Sequence, residues 1–234
     1  MMLAISLFAA AAFAVLGVWQ LERRVWKLAL IEAVESRVHA VPASPPGLPE
    51  WGGVSAAKDQ YRHVVVTGRF LHDRETLVQT ATEMGTGYWV MTPLEIADGT
   101  VILVNRGFVP DRFVAQRSRL AAPASGPVRI TGLLRMSEPK GRLLRANQPS
   151  ENRWYSRDIA AIASARRLPP TAPYFIDADA SPIAESWPRG GLTVVAFPNN
   201  HLSYAATWFS LAMLSMFGFV MFWRPGADKP HARH

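Results

Sequence analysis

Two runs without a charged residue, Met1–Leu21 and Leu202–Trp223, stand near the ends of the chain and constrain it more than any other feature. As helices rising 1.5 Å per residue, each would reach about 30 Å, the thickness of a bilayer core. The first run lacks the Lys or Arg of a signal-peptide n-region. Its A-x-A match, Ala12–Ala14, falls inside the apolar stretch, so a retained helix is expected. Trp19, Tyr204, Trp208 and Trp223 sit near the ends of the runs, where amphipathic rings favour the headgroup layer. Small residues at helical spacing, Ala10 and Ala14 on the first run and Ala206 and Ser210 on the second, offer ridges for close packing.

If both runs span, both chain ends lie on one side and the segment between them on the other. Arg23, Arg24, Lys27 and Arg37 follow the first run, while Arg224, Lys229 and Arg233 follow the second. These cations pull in opposite senses, and long loops escape the positive-inside rule, so charge leaves the orientation open. Beyond Leu21 the helical pattern continues to about residue 39, with Trp26, Leu30, Ala33 and Val34 opposite a charged face. "VPASPPGLPEWGG" then breaks it.

The middle of the chain reads mostly as strand. "YRHVVVTGRF" (61–70), "GYWVMTPLEI" (87–96), "TVILVNRGFV" (100–109), "VRITGLLRM" (128–136), "PYFIDAD" and "TVVAF" are rich in β-branched and aromatic residues. Asp98-Gly99 marks a hairpin, and Gly85-Thr86-Gly87 reads as a turn. "SRDIAAIASARR" (156–167) reads as a short helix capped by Ser156 or Asp158. The expected class is α+β: two antiparallel transmembrane helices flank a mainly antiparallel β-sheet or open barrel with a short helix. The expected segments are helix 1–21, extramembrane domain 22–200, helix 201–223 and tail 224–234.

Composition removes several functions. The chain has no cysteine, which excludes disulfides, thiolate catalysis and Cys-ligated zinc or copper. Its net charge is +7, yet the basic residues are scattered without a nucleic-acid motif, so nucleic acid is not an expected partner. The six histidines show no zinc-hydrolase spacing, and neither a nucleophile elbow nor a phosphate-binding loop occurs. No convergent acid–base set points to an enzyme.

In "VNRGFVP" (104–110), Gly107 suits a backbone bend or close approach, and Arg106 suits a carboxylate inside the domain or an anionic partner. "NNHLSYAATW" (199–208) leaves two readings open. In one, Asn199 or Asn200 caps a helix and His201 occupies its wet first turn. In the other, His201 offers an imidazole nitrogen to a metal. Tyr204 and Trp208 then lie on the same helical face as flat walls, where an amphipathic macrocycle such as haem would enter.

Taken in order, "GVWQLERRVWKLALI", "YRHVVVTGRF", "GYWVMTPLEIADGTVILVNRGFVP", "NQPSENRWYSRDIAAIA", "PYFIDAD" and "NNHLSYAATWFSLA" resemble the Surfeit locus protein family. The resemblance runs from about Gly17 to the end of the second apolar run. It implies a non-catalytic assembly factor for cytochrome c oxidase. In a bacterial-type member it implies the inner (plasma) membrane, with the central domain in the periplasm and the tail in the cytoplasm. It implies binding of haem a and help with its insertion into the large oxidase subunit, with haem a synthase and membrane lipid as further partners. His201 matches the family's proposed haem iron ligand and Trp208 its motif tryptophan; Tyr204 and Trp208 would flank the haem. The competing reading is a cofactor-free membrane scaffold that stabilises an oxidase assembly intermediate.

Overall fold

The computed structural model describes residues 2–114, 126–141, 145–180, 187–193, 195 and 197–223. The tail, 224–234, lies outside them. The chain forms two compact bodies, Met1–Ala33 with Ala196–His234, and Val34–Val195.

The first body holds two helices long and apolar enough to cross a membrane. α1 runs over Met2–Val38, and its C-terminal end enters the second body. The second body adds a short helix, α2 (Ala56–Asp59), a helix α3 (Ile159–Arg166) and six strands. The other apolar helix, α4 (His201–Trp223), closes the sequence of elements. Asp158 caps α3, its carboxylate accepting from the Ala161 amide at 3.1 Å, and Arg167 ends it in a left-handed turn.

The strands are β1 (His63–Phe70), β2 (Thr76–Thr82), β3 (Gly85–Ile96), β4 (Val101–Pro110), β5 (Val128–Met136) and β6 (Thr171–Ala178). Neighbours follow the order β1-β5-β6-β4-β3, and β3 returns to β1 through Leu94–Ile96. The ring therefore closes into a five-stranded barrel. β2 is the extra strand, lying against the first part of β3 on the edge that β1 later shares. Every named pairing is antiparallel except β4–β6, so the sheet is mixed. The expected class holds, and the barrel is closed rather than open.

Closure explains the core. A five-stranded ring is narrow enough for side chains to fill it. Val64, Val66, Leu94, Ile102, Val104, Tyr174 and Ile176 do so. The outer face of β2, β3, β4 and β6 carries Val78, Met91, Leu103 and Phe175, covered by Trp154 and by Ile159 and Ile162 of α3. β4 is buried on both faces, which is why it reads as a continuous apolar run rather than an alternation.

Several local expectations hold. Gly99 takes φ +80° in the β3–β4 hairpin, where Asp98 accepts from the Thr100 hydroxyl and amide. Gly85-Thr86-Gly87, expected as a turn, instead opens β3, with Gly85 at φ +100°, and the β2–β3 turn falls at Glu83-Met84. Gly107 takes φ +124°, and a Cβ there would collide with the Arg189 carbonyl. Arg106 pairs with Glu75 at 3.6 Å and lies over the Phe70 ring. The strand expected at 193–197 is not formed at its described residues, Thr193, Val195 and Phe197. This segment instead follows a stretch bonded to the barrel: Phe108 and Arg189 exchange two backbone hydrogen bonds of 2.9 Å, and the Gly191 amide donates to Ala178.

Candidate functional site

α1 and α4 pack antiparallel along a seam of small and aromatic residues. On α1 the seam descends through Gln20, Gly17, Phe13 and Ala10, three or four residues apart. On α4 it runs through His201, Ala205, Trp208 and Phe209. Phe13 stacks on Trp208 with centroids 5.7 Å apart. Gly17 has no room for a Cβ, which would come within 2.6 Å of the Phe209 ring. Close approach through small residues is how helices pack in lipid.

The helices pair as expected, though by partly different residues. Ala10 is buried, but Ala206 and Ser210 are exposed, and Ala205 takes the inner position. The outward hydroxyls are satisfied within the helix. Ser210 donates to the Ala206 carbonyl at 2.9 Å and Thr207 to Ser203 at 3.0 Å.

α4 begins after Asn200, whose carbonyl accepts from the Tyr204 amide at 3.2 Å. His201 is thus its first residue. The ring is half-buried, and Nδ1 lies 2.7 Å from Gln20 Oε1, a partner 181 positions away in the chain. With that oxygen accepting, Nδ1 carries the proton and Nε2 keeps its lone pair. Among the described residues Nε2 meets no polar partner. Tyr204, one turn along, is 56% exposed. Trp208 is half-buried, with one ring face against Phe13. Trp19 stands exposed on α1.

Among the described residues no three His, Asp or Glu side chains gather to hold a bare metal ion. A lone imidazole, held through one nitrogen and open at the other, fits a metal whose remaining positions are filled by a macrocycle. Gln20 is the residue sequence reasoning missed: its separation from His201 hides any local signal.

The barrel body contains a second polar centre, also invisible to spacing. A cavity of about 700 Å³ is bordered by Trp89, Asn105, Arg135, Tyr155, Arg157 and Asp177. Asp177, only 4% exposed, accepts from Asn105 at 2.8 Å, Arg135 and Arg157 at 2.9 Å, and the Thr193 hydroxyl at 2.9 Å. Arg157 also pairs with Glu138 through Nε and Nη2 and lies over the Phe175 ring. Burial opposes the Glu138 charge, but the Arg157 hydrogen bonds and charge, with Arg135 nearby, hold its carboxyl below the ordinary glutamate value. Two guanidinium groups and two carboxylates answer one another here, which suits a structural lock between β4, β5, β6 and the chain at Thr193.

The SURF1 family model matches residues 7–213, which takes in most of α1, the whole barrel and the first half of α4. The chain belongs to the SURF1 family. A "SURF1-like protein" of Monosiga brevicollis is 36% identical over 231 residues, covering 93% of this chain and 86% of the relative. "Surfeit locus protein 1" of Mus musculus is 37% identical over 212 residues, with 84% and 67% covered. Its Homo sapiens counterpart is 37% identical over 214 residues, with 84% and 69% covered. The SURF1 match includes both seam partners, Gln20 and His201, and every residue around Asp177 named above.

Proposed function

We propose that this SURF1-family protein is a non-catalytic assembly factor for cytochrome c oxidase. It binds haem a through His201 and assists its insertion into the large oxidase subunit. It is anchored in a bacterial inner membrane by 1–21 and 201–223, with 22–200 in the periplasm and 224–234 in the cytoplasm. Haem a synthase supplies the cofactor laterally, through membrane lipid.

One observation carries this reading: Gln20 engages Nδ1 of His201 and leaves Nε2 without a polar partner among the described residues. Bound haem would supply the iron, and His201 would hold it through Nε2. Gln20 fixes the tautomer and the ring plane. Tyr204, on the exposed side, and Trp208, deeper on the same helix, border the macrocycle. A single protein ligand holds the cargo without trapping it, as a carrier requires.

The test is expression beside a haem a pathway, followed by optical spectra of the purified protein. Wild type should carry haem absorbance. His201→Ala should lose it while keeping wild-type circular dichroism. Identical spectra from both would defeat the haem reading and leave the cofactor-free scaffold, which stabilises an assembly intermediate through its barrel and helix pair.

A further inference from the structure

Arg24 is a half-buried cation of the helix pair that meets no counter-charge among the described residues. It follows Gln20 by four residues, so it occupies the same face of α1 one turn further out, roughly 6 Å along the axis. It continues the series Ala10, Phe13, Gly17, Gln20 that faces α4, and it is half-buried. Its cationic neighbours are engaged. The Arg23 guanidinium lies 4.0 Å from the Trp26 ring centroid, and the Lys27 ammonium 5.1 Å from that of Phe197. Arg24 has no hydrogen bond, ion pair or ring partner among the described residues. A partly desolvated guanidinium without a counter-charge is unfavourable, and its planar fork matches a carboxylate.

We infer that Arg24 receives a carboxylate of the ligand whose iron His201 holds. This rests on the haem reading given above. Haem is amphipathic, with its propionate carboxylates along one edge and hydrocarbon around the rest. His201 stands where the apolar run of α4 begins, level with Gln20 near the end of the apolar run of α1. A ring held at Nε2 would keep its hydrocarbon with the apolar runs and its acid edge on the side of the polar residues beyond them, where α1 carries Arg24. The guanidinium therefore sets which edge enters first, and it favours macrocycles with a free acid. It acts through binding alone and neither makes nor breaks a bond.

The experiment titrates the full-length protein in neutral detergent with two probes, followed by haem absorbance. One probe is haem with free propionates; the other is the same haem with both propionates methylated. Arg24→Gln should weaken binding of the free acid about tenfold, the loss of one charge-assisted hydrogen bond, and leave the diester unaffected. Arg24→Lys should recover part of the loss. Unchanged diester affinity also shows that the helix pair is intact in the variant. Three results overturn the proposal while sparing the haem reading. In the first, Arg24→Gln binds both probes like wild type. In the second, it loses both equally, which makes Arg24 a support of the fold. In the third, it loses only co-purifying anionic lipid, which assigns the guanidinium to a lipid phosphate. Failure of wild type to bind either probe overturns both ideas together.

Discussion

The helix pair and the barrel each place polar side chains out of water, and they treat them differently. In the barrel, Asp177 and Glu138 meet Arg135 and Arg157, with Asn105 and Thr193 completing the set. In the helix pair, His201 is engaged through Nδ1, and Nε2 is left over. Most groups of the barrel centre already have partners, so a ligand gains less there, although the buried Arg135 Nε has none among the described residues. A half-satisfied ring gains a bond outright. On the function proposed above, the barrel centre acts mainly as a structural lock and the seam as the receptor.

Substitutions test that division. The largest effect should come from Asp177→Ala, which removes the acceptor shared by the half-buried Arg135 and Arg157. It should lower the stability of the barrel by about 3–5 kcal/mol, read by urea unfolding, while folded protein binds haem as wild type does. A matching fall in haem affinity would erase the contrast between lock and receptor. Gln20→Leu should do the reverse. It frees the His201 ring to rotate, weakening haem binding about tenfold or more while barrel unfolding stays put. The smallest effect should be a pH dependence. The folded Glu138 carboxyl titrates below its ordinary value, so its contribution is present above the unfolded pKa. That contribution disappears as pH falls through the lower, folded value. The acid side of a melting-temperature profile should therefore flatten in Glu138→Gln relative to wild type.

Local patterning revealed most of the elements. β5 lies at 128–136 as its residues suggested, and Asp98-Gly99 and Asp158 mark a hairpin and a helix start by their side-chain chemistry. β2 escaped because Thr76 and Thr80 lie with Val78 on its buried face, which dilutes the apolar alternation that identifies a half-buried strand. The helix pairing was legible from small residues, but the rotation that chooses Ala205 over Ala206 depends on the partner helix. The same limit applies to the sites. His201 stood out by its position at the mouth of an apolar run. Gln20 and the companions of Asp177 are adjacent only after folding, across separations that no periodicity reports.

The contacts made by Arg189, Gly191 and Thr193 tie the second body to residues that come just ahead of α4. Arg189 bonds to β4, Gly191 to β6 and Thr193 to Asp177. As the chain emerges from the ribosome, the strands and Asp177 appear first, and these last stitches follow only once β1 to β6 have been made. Completion of the barrel body and arrival of the second apolar helix are thus consecutive events. The histidine follows Thr193 by eight positions, so it is delivered to its place only once the module behind it has the residues needed to finish.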